Sequence, residues 1–124
     1  MASVRHVLVA EDEALAALAI QQYLTFKGFR VTVARDGMEA LSLFEADPAD
    51  AVVTDLRMPR LDGARLIRRL REARPDLPVL VMTGYLGSED GQEDLTSPAW
   101  EPLVVLKKPV SPQDILAALH GFSV

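Results

Sequence analysis

Three acids, one hydroxyl and one amine stand where this sequence could use them for chemistry. Glu11 and Asp12 follow the apolar run Val7-Leu8-Val9-Ala10, and Asp55 ends the run Val52-Val53-Thr54. Thr83 follows Val79-Leu80-Val81-Met82, and Lys108-Pro109 comes shortly after Leu103-Val104-Val105-Leu106. Two carboxylates about 4 Å apart repel by roughly 4 kcal/mol at an effective dielectric of about 20, so gathering these acids calls for a cation. All-oxygen ligands favour a hard ion, and Mg²⁺ commonly takes one or two carboxylates while keeping waters and phosphate oxygens. A carboxylate beside Mg²⁺, faced by a lysine and a hydroxyl, is equipped to accept a phosphoryl group. Asp55 would be the nucleophile, and Thr83 and Lys108 would reach the charge of the mixed anhydride that forms. Zinc fits poorly, because there is no cysteine and neither His6 nor His120 falls at the end of one of these runs.

These groups can act together only if the fold collects them. Short apolar runs that stop abruptly at polar residues suit strands buried on both faces. Residues 7–10, 30–34, 51–54, 78–82 and 103–106 read as five such strands. Between them, Ala14 to Phe26 reads as a helix with Leu15, Leu18, Ala19 and Tyr23 at helical spacing, stopped by Lys27-Gly28. Gly37 to Ala46 carries Ala40, Leu43 and Phe44 inward, and Ala64 to Ala73 does so through Leu66, Ile67 and Leu70. Ser111-Pro112-Gln113-Asp114 opens the last helix, with Ile115, Leu116 and Leu119 as its buried stripe. Residues 87–94 mix two glycines with acids and predict at most a short or frayed helix.

Five strands alternating with about five helices imply an α/β, doubly wound parallel sheet, for which we take the strand order 2-1-3-4-5. Ligands bind such sheets outside the carboxyl ends of the strands, near the reversal of strand order. That edge is where Glu11, Asp12, Asp55, Thr83 and Lys108 would meet.

Composition narrows the function further. The 124 residues, 49% hydrophobic, fit one domain over 1–124. A net charge of −5 repels a phosphate backbone and argues against direct nucleic-acid binding. The N-terminal apolar run is too short for a signal peptide core or a membrane span, and the absence of cysteine suits a reducing compartment, so a soluble, cytoplasmic protein is expected. Glu11-Asp12-Glu13 can also cap the first helix, and one of the three is expected to do so. Arg65, Arg68, Arg69, Arg71 and Arg74 read as a solvated helical face. His6 and His120 read as ordinary surface or half-buried residues, and Tyr85 and Trp100 as surface, interface or functional aromatics.

Together these motifs resemble the receiver domains of two-component response regulators. The likeness rests on Glu11-Asp12, Asp55-Leu56-Arg57-Met58-Pro59 with Asp62-Gly63, Thr83-Gly84 and Lys108-Pro109, and it spans nearly the whole chain. It implies a flavodoxin-like (βα)5 fold, CheY-like, in which a histidine kinase donates phosphate to Asp55. It further implies that Glu11 and Asp12 hold Mg²⁺, Asp12 more directly, with Asp55 and the backbone carbonyl of Arg57 completing the protein ligands. Thr83 and Lys108 would contact the phosphoryl group, and the peptide before Pro109 would be cis, a geometry that costs an X-Pro bond only about 0.5–1 kcal/mol. Lys107 is the rival lysine, but strand alternation and the family pattern favour Lys108.

The chain departs from that pattern at Val105, where most receivers carry a switch aromatic. With Thr83-Gly84-Tyr85, this makes it similar to an atypical single-domain subgroup whose implied partners are histidine kinases of the HWE and related types. Residues 87–94 would then be the moving segment, and Arg57 and Tyr85 would shield or admit the hydrolytic water. The expectation is a stand-alone phosphorelay receiver, a monomer or weak homodimer, docking downstream protein targets or a phosphotransfer protein through a fourth helix, the fifth strand and the last helix. An excised domain of a longer protein would read the same way. It would be no enzyme beyond its own phosphorylation and dephosphorylation. Two rivals are a Mg²⁺-dependent phosphohydrolase using Asp55 as nucleophile, for which no general acid stands near Asp55, and a receiver-like binding module that has lost the chemistry.

Overall fold

Five short strands alternate with helices that pass from one face of a single sheet to the other. The computed structural model describes residues 4–84 and 98–122. In chain order the elements are β1 (His6–Ala10), α1 (Ala14–Phe26), β2 (Arg30–Ala34), α2 (Gly37–Ala46), β3 (Ala51–Asp55), α3 (Gly63–Ala73) and β4 (Val79–Thr83). A 3₁₀ turn (Pro98–Trp100), β5 (Leu103–Lys107) and α4 (Pro112–Phe122) follow. All neighbouring strands are parallel, in the order β2-β1-β3-β4-β5 expected from the sequence. The expected segment 87–94 and Tyr85 lie outside the described residues, which contain four α-helices.

The three inner strands are buried along their whole length, which is why they read as unbroken apolar runs. Side-chain alternation splits them between two core layers. Leu8, Val52, Val79 and Val81 pack with Phe44, Leu66, Ile67 and Leu70 of α2 and α3. Val7, Val9, Val53, Leu80 and Met82 pack with Ile20, Leu24, Ile115 and Leu119 of α1 and α4. Among the described residues, no helix is long and apolar enough to cross a membrane.

Helix starts follow local chemistry. The Asp36 carboxylate accepts from Glu39 N–H at 2.8 Å to cap α2, and Asp62 accepts from Arg65 N–H at 2.9 Å to cap α3. Asp62-Gly63 is thus the start of α3. Gly63 also lets α3 begin against the end of β3, since a Cβ there would stand 2.5 Å from the Asp55 carbonyl oxygen.

The structure corrects three expectations. The inward face of α1 is Ala17, Ile20 and Leu24, leaving Leu15 79% and Leu18 46% exposed. The helix is apolar nearly all round, so the spacing admits more than one face and the sheet selects the narrower one. Glu13 occupies the cap position of α1 but makes no side-chain cap bond; its N–H is taken by Glu11 Oε2 at 3.0 Å. The arginines of α3 are not uniformly solvated. The Arg71 guanidinium turns inward and donates to the carbonyls of Leu77, Trp100 and Pro102, and Arg74 donates to that of Ala49.

Candidate functional site

At the carboxyl ends of β1, β3, β4 and β5, the chain leaves the sheet beside the point where strand order reverses. Glu11 N–H donates to the Ala34 carbonyl of β2 at 3.0 Å, while β3 runs on the other side of β1, so the first acidic pair sits in the crevice between two diverging crossovers. Asp55 is the last residue of β3 and Thr83 the last of β4. Leu56 N–H donates to the Met82 carbonyl at 3.0 Å and Lys108 N–H to the Thr83 carbonyl at 2.7 Å, extending the ladder just far enough to deliver Lys108 to the edge. The Lys108–Pro109 peptide is cis, as expected; a second cis peptide, Glu101–Pro102, had no signal in the sequence.

Glu11, Asp12, Asp55 and Lys108 do come together, and Thr83 ends the strand beside Asp55. One carboxylate oxygen from each of Glu11, Asp12 and Asp55 lies within 4.8 Å of the other two. Glu11, Asp55 and Thr83 are buried at 2%, 7% and 4% exposure, while Asp12 faces solvent. Lys108 Nζ stands 2.8 Å from Asp55 Oδ2 and 3.7 Å from Glu11 Oε1. Lys107, the rival, ends β5 with its side chain exposed. Arg57 is exposed two residues beyond β3. His6 lies at the other end of β1, buried at 3% exposure rather than on the surface or half-buried as expected, and His120 is exposed on α4.

The electrostatics of this cluster are those of like charges held together. Burial pushes the Glu11 carboxyl up and the Asp55 carboxylate adds to the rise, against the lowering effects of the Glu13 N–H and Lys108. Burial alone would lower Lys108; the bond to Asp55 and the charges of Asp55, Glu11 and Asp12 outweigh it and raise the ammonium's pKa. Three carboxylates facing a single ammonium at this spacing leave negative charge over, in an all-oxygen donor set open to solvent on the Asp12 side. That is the environment a hard divalent cation fits.

The fold and this edge define a doubly wound α/β domain with an acidic cluster at its strand-order reversal. The chain belongs to the response regulator receiver domain family, whose model matches residues 7–120. It is 37% identical over 115 residues to a response regulator MprA of Mycolicibacterium vanbaalenii, a match covering 93% of this chain and 48% of that protein. The chain therefore spans about half the length of the curated relatives it matches. The receiver domain of a Francisella response regulator is 31% identical, with a TM-score of 0.81 and 96% of each chain covered. The Vibrio cholerae chemotaxis protein CheY4 is 25% identical, with a TM-score of 0.83 over 96% of this chain and 98% of that one. Receivers of this family work with histidine kinases in two-component systems.

Val105, the position without a switch aromatic, is half-buried against the α2–α3 core layer, as are Leu103 and Trp100. Gly63, quoted with Asp62 in the sequence, lets α3 start against β3. Sequence reasoning did not find Arg60, which, with φ of 70°, reaches Asp36 at 3.2 Å across the loop after Asp55 and depends on a tertiary neighbour that no local pattern announces.

Proposed function

We propose that Asp55 is the phosphoacceptor of this receiver. The observation that carries this reading is the contact of Lys108 Nζ with Asp55 Oδ2 at 2.8 Å inside a triad of carboxylates at the strand-order reversal. An Asp55 oxygen attacks phosphorus in line, the O–P bond forms, and the P–N bond of a kinase phosphohistidine breaks, returning the electron pair to imidazole. Lys108 holds one phosphoryl oxygen by ion pair, and the Thr83 hydroxyl bonds another. Glu11, Asp12, Asp55 and the backbone carbonyl of Arg57 are the residues that would hold Mg²⁺, which supplies charge neutralisation at the phosphoryl oxygens. The protein catalyses its own phosphorylation and dephosphorylation only, in the cytoplasm. Val105 and Thr83-Gly84 support a partner kinase of HWE type, with downstream protein targets or a phosphotransfer protein receiving the signal. The phosphohydrolase and pure binding-module readings are not favoured by membership of the family.

The test is intact mass after incubation with acetyl phosphate, with and without Mg²⁺. The parent gains one phosphoryl group, about 80 Da, only with metal, and Asp55→Asn gains none. An adduct of equal yield on Asp55→Asn would refute the assignment.

A further inference from the structure

The arginines of α3 and its approach form a second concentration of charge, opposite in sign to the acidic edge. Residues 57–74 carry seven arginines and two acids, whereas the rest of the chain carries six basic and sixteen acidic residues. The seven are not equivalent. Arg60 reaches Asp36, and Arg71 and Arg74 are spent on backbone carbonyls. Arg65, Arg68 and Arg69, three and four residues apart, are exposed and share one outer face of the helix. Arg65 meets Asp62 at 3.9 Å, near the outer limit of an ion pair, with the Arg65 side chain largely exposed and that of Asp62 about half exposed. Like charges at this spacing disfavour a helix, and the acids next to them on the chain, Asp62 and Glu72, stand at the two ends of the patch.

Directly beside this face is a cavity of about 400 Å³ lined by Ile67, Arg68, Arg71, Glu72, Ala99 and Trp100. The Arg68 guanidinium sits 5.2 Å from the centroid of the Trp100 ring. Trp100, Ala99 and the arginine stems supply the apolar lining over the fully buried Ile67, and the Arg68 guanidinium and the Glu72 carboxylate supply its charges. Arginine and tryptophan side by side are the residue types that dominate binding energy at protein interfaces.

We propose that the outer face of α3 and the Trp100 cavity dock an acidic protein segment that carries one aromatic or large apolar side chain. Carboxylates meet the planar forks of Arg65 and Arg69, which match them bidentately, while Arg68 stays against Trp100. The apolar side chain enters the cavity against Trp100. A nucleic acid fits less well: the patch is about one helical turn long, and the remainder of the chain carries ten more acids than bases. This face is distinct from the phosphoacceptor edge, so it stands whether or not Asp55 accepts phosphate.

Trp100 is the only tryptophan of the chain, so its fluorescence reports this cavity alone. The full chain is titrated with a synthetic peptide of glutamates flanking one phenylalanine. A saturable change in emission is expected, about tenfold weaker in the double variant Arg65→Gln, Arg69→Gln. It should be largely lost in about 1 M salt, where charges are screened beyond roughly 3 Å. Replacing the peptide's phenylalanine with serine should also weaken binding. Unchanged thermal melting and unchanged acetyl phosphate labelling of the double variant show that it remains folded. No saturable change, an affinity indifferent to the two arginines, or tighter binding of duplex DNA than of the peptide would each overturn the proposal.

Discussion

The two ends of β1 bury polar groups by opposite rules. At the amino end, His6 is 3% exposed, with Nε2 at 2.8 Å from the Thr32 hydroxyl and Nδ1 at 3.2 Å from the Pro48 carbonyl. Nearby, one oxygen of Asp50 accepts from the N–H groups of Arg5 and His6, both at 2.9 Å. Each polar group there finds complementary partners, which makes the end self-sufficient. At the carboxyl end, Glu11 and Asp55 are as deeply buried, yet they face each other and Asp12 across less than 5 Å, with Lys108 as their ammonium partner. Among the described residues every buried side-chain nitrogen and oxygen has a hydrogen-bond partner, so the two ends differ in charge balance and not in hydrogen bonding. Five residues of one strand thus separate a polar cluster that serves the fold from one that is costly to it, and cost without structural return marks the site.

If this contrast is right, the largest loss should follow from taking away the positive charge at the acidic end. Lys108→Gln leaves the buried Asp55 and Glu11 carboxylates without their ammonium. The expected loss, measured in chelator, is about 2 kcal/mol, below the full cost of breaking a buried pair because Lys108 itself is part-exposed. Added Mg²⁺ should recover part of it, by RT ln(1 + [Mg²⁺]/Kd). Denaturant melts of the variant with and without metal check this; an unchanged midpoint in chelator would mean that the acids are balanced by other means.

Next in size is Asp50→Asn at the satisfied end. Burial would raise the Asp50 carboxyl, but the N–H donors of His6 and Arg5, helped by the charges of His6 and Arg74, outweigh it and hold the pKa below the usual 3.8. A carboxylate with a depressed folded pKa contributes stability that is fully present above the unfolded value and is lost as the pH falls through the folded one. Asp50→Asn should therefore cost about 1–2 kcal/mol at neutral pH. The gap from the parent should close below about pH 3.8. A gap that persisted there would assign the loss to shape rather than charge.

Glu11→Gln should move stability the other way. Burial and the Asp55 charge raise the Glu11 carboxyl, so removing its charge should stabilise the metal-free protein by about 1 kcal/mol while keeping an acceptor for the Glu13 N–H. The same variant should lose most of the stabilisation by Mg²⁺. Destabilisation in chelator would contradict the reading of this end as a repulsive cluster.

How much of this was legible differed between the ends. The acids, Thr83 and Lys108 could be placed because each follows a strand whose burial on both faces leaves an unbroken apolar run, and a parallel sheet aligns the run ends. Leu66, Ile67 and Leu70 of α3 could be placed because arginines alternate with them and leave one apolar phase. On α1, with no such contrast, the spacing points to Leu15 and Leu18, whereas the sheet takes Ala17, Ile20 and Leu24. The amino-end network could not be read at all: His6 is held by partners 26 and 42 residues away, and no local pattern encodes those pairings. Arg71 looked like its neighbours on α3, and only the fold shows that the carbonyls of Trp100 and Pro102 come within its reach.

The smallest effect should come from Arg30→Gln, which tests where the self-sufficient end stops. Arg30 pairs with Asp47 through both guanidinium nitrogens, a geometry that usually signals strength. Both side chains, however, are more than half exposed, so water screens the pair and can replace either partner. The hydrogen bond to Asp47 raises the Arg30 pKa and the bond to Arg30 lowers that of Asp47, yet neither shift requires a matching gain in stability when both groups stay hydrated. The melting midpoint should stay within error of the parent. A clear loss would carry a specific meaning, because Asp47 Oδ1 also lies 4.0 Å from His6 Nδ1. Arg30 would then be holding Asp47 in place for the buried ring, and the amino-end network would extend from β1 through Asp47 to the surface of β2.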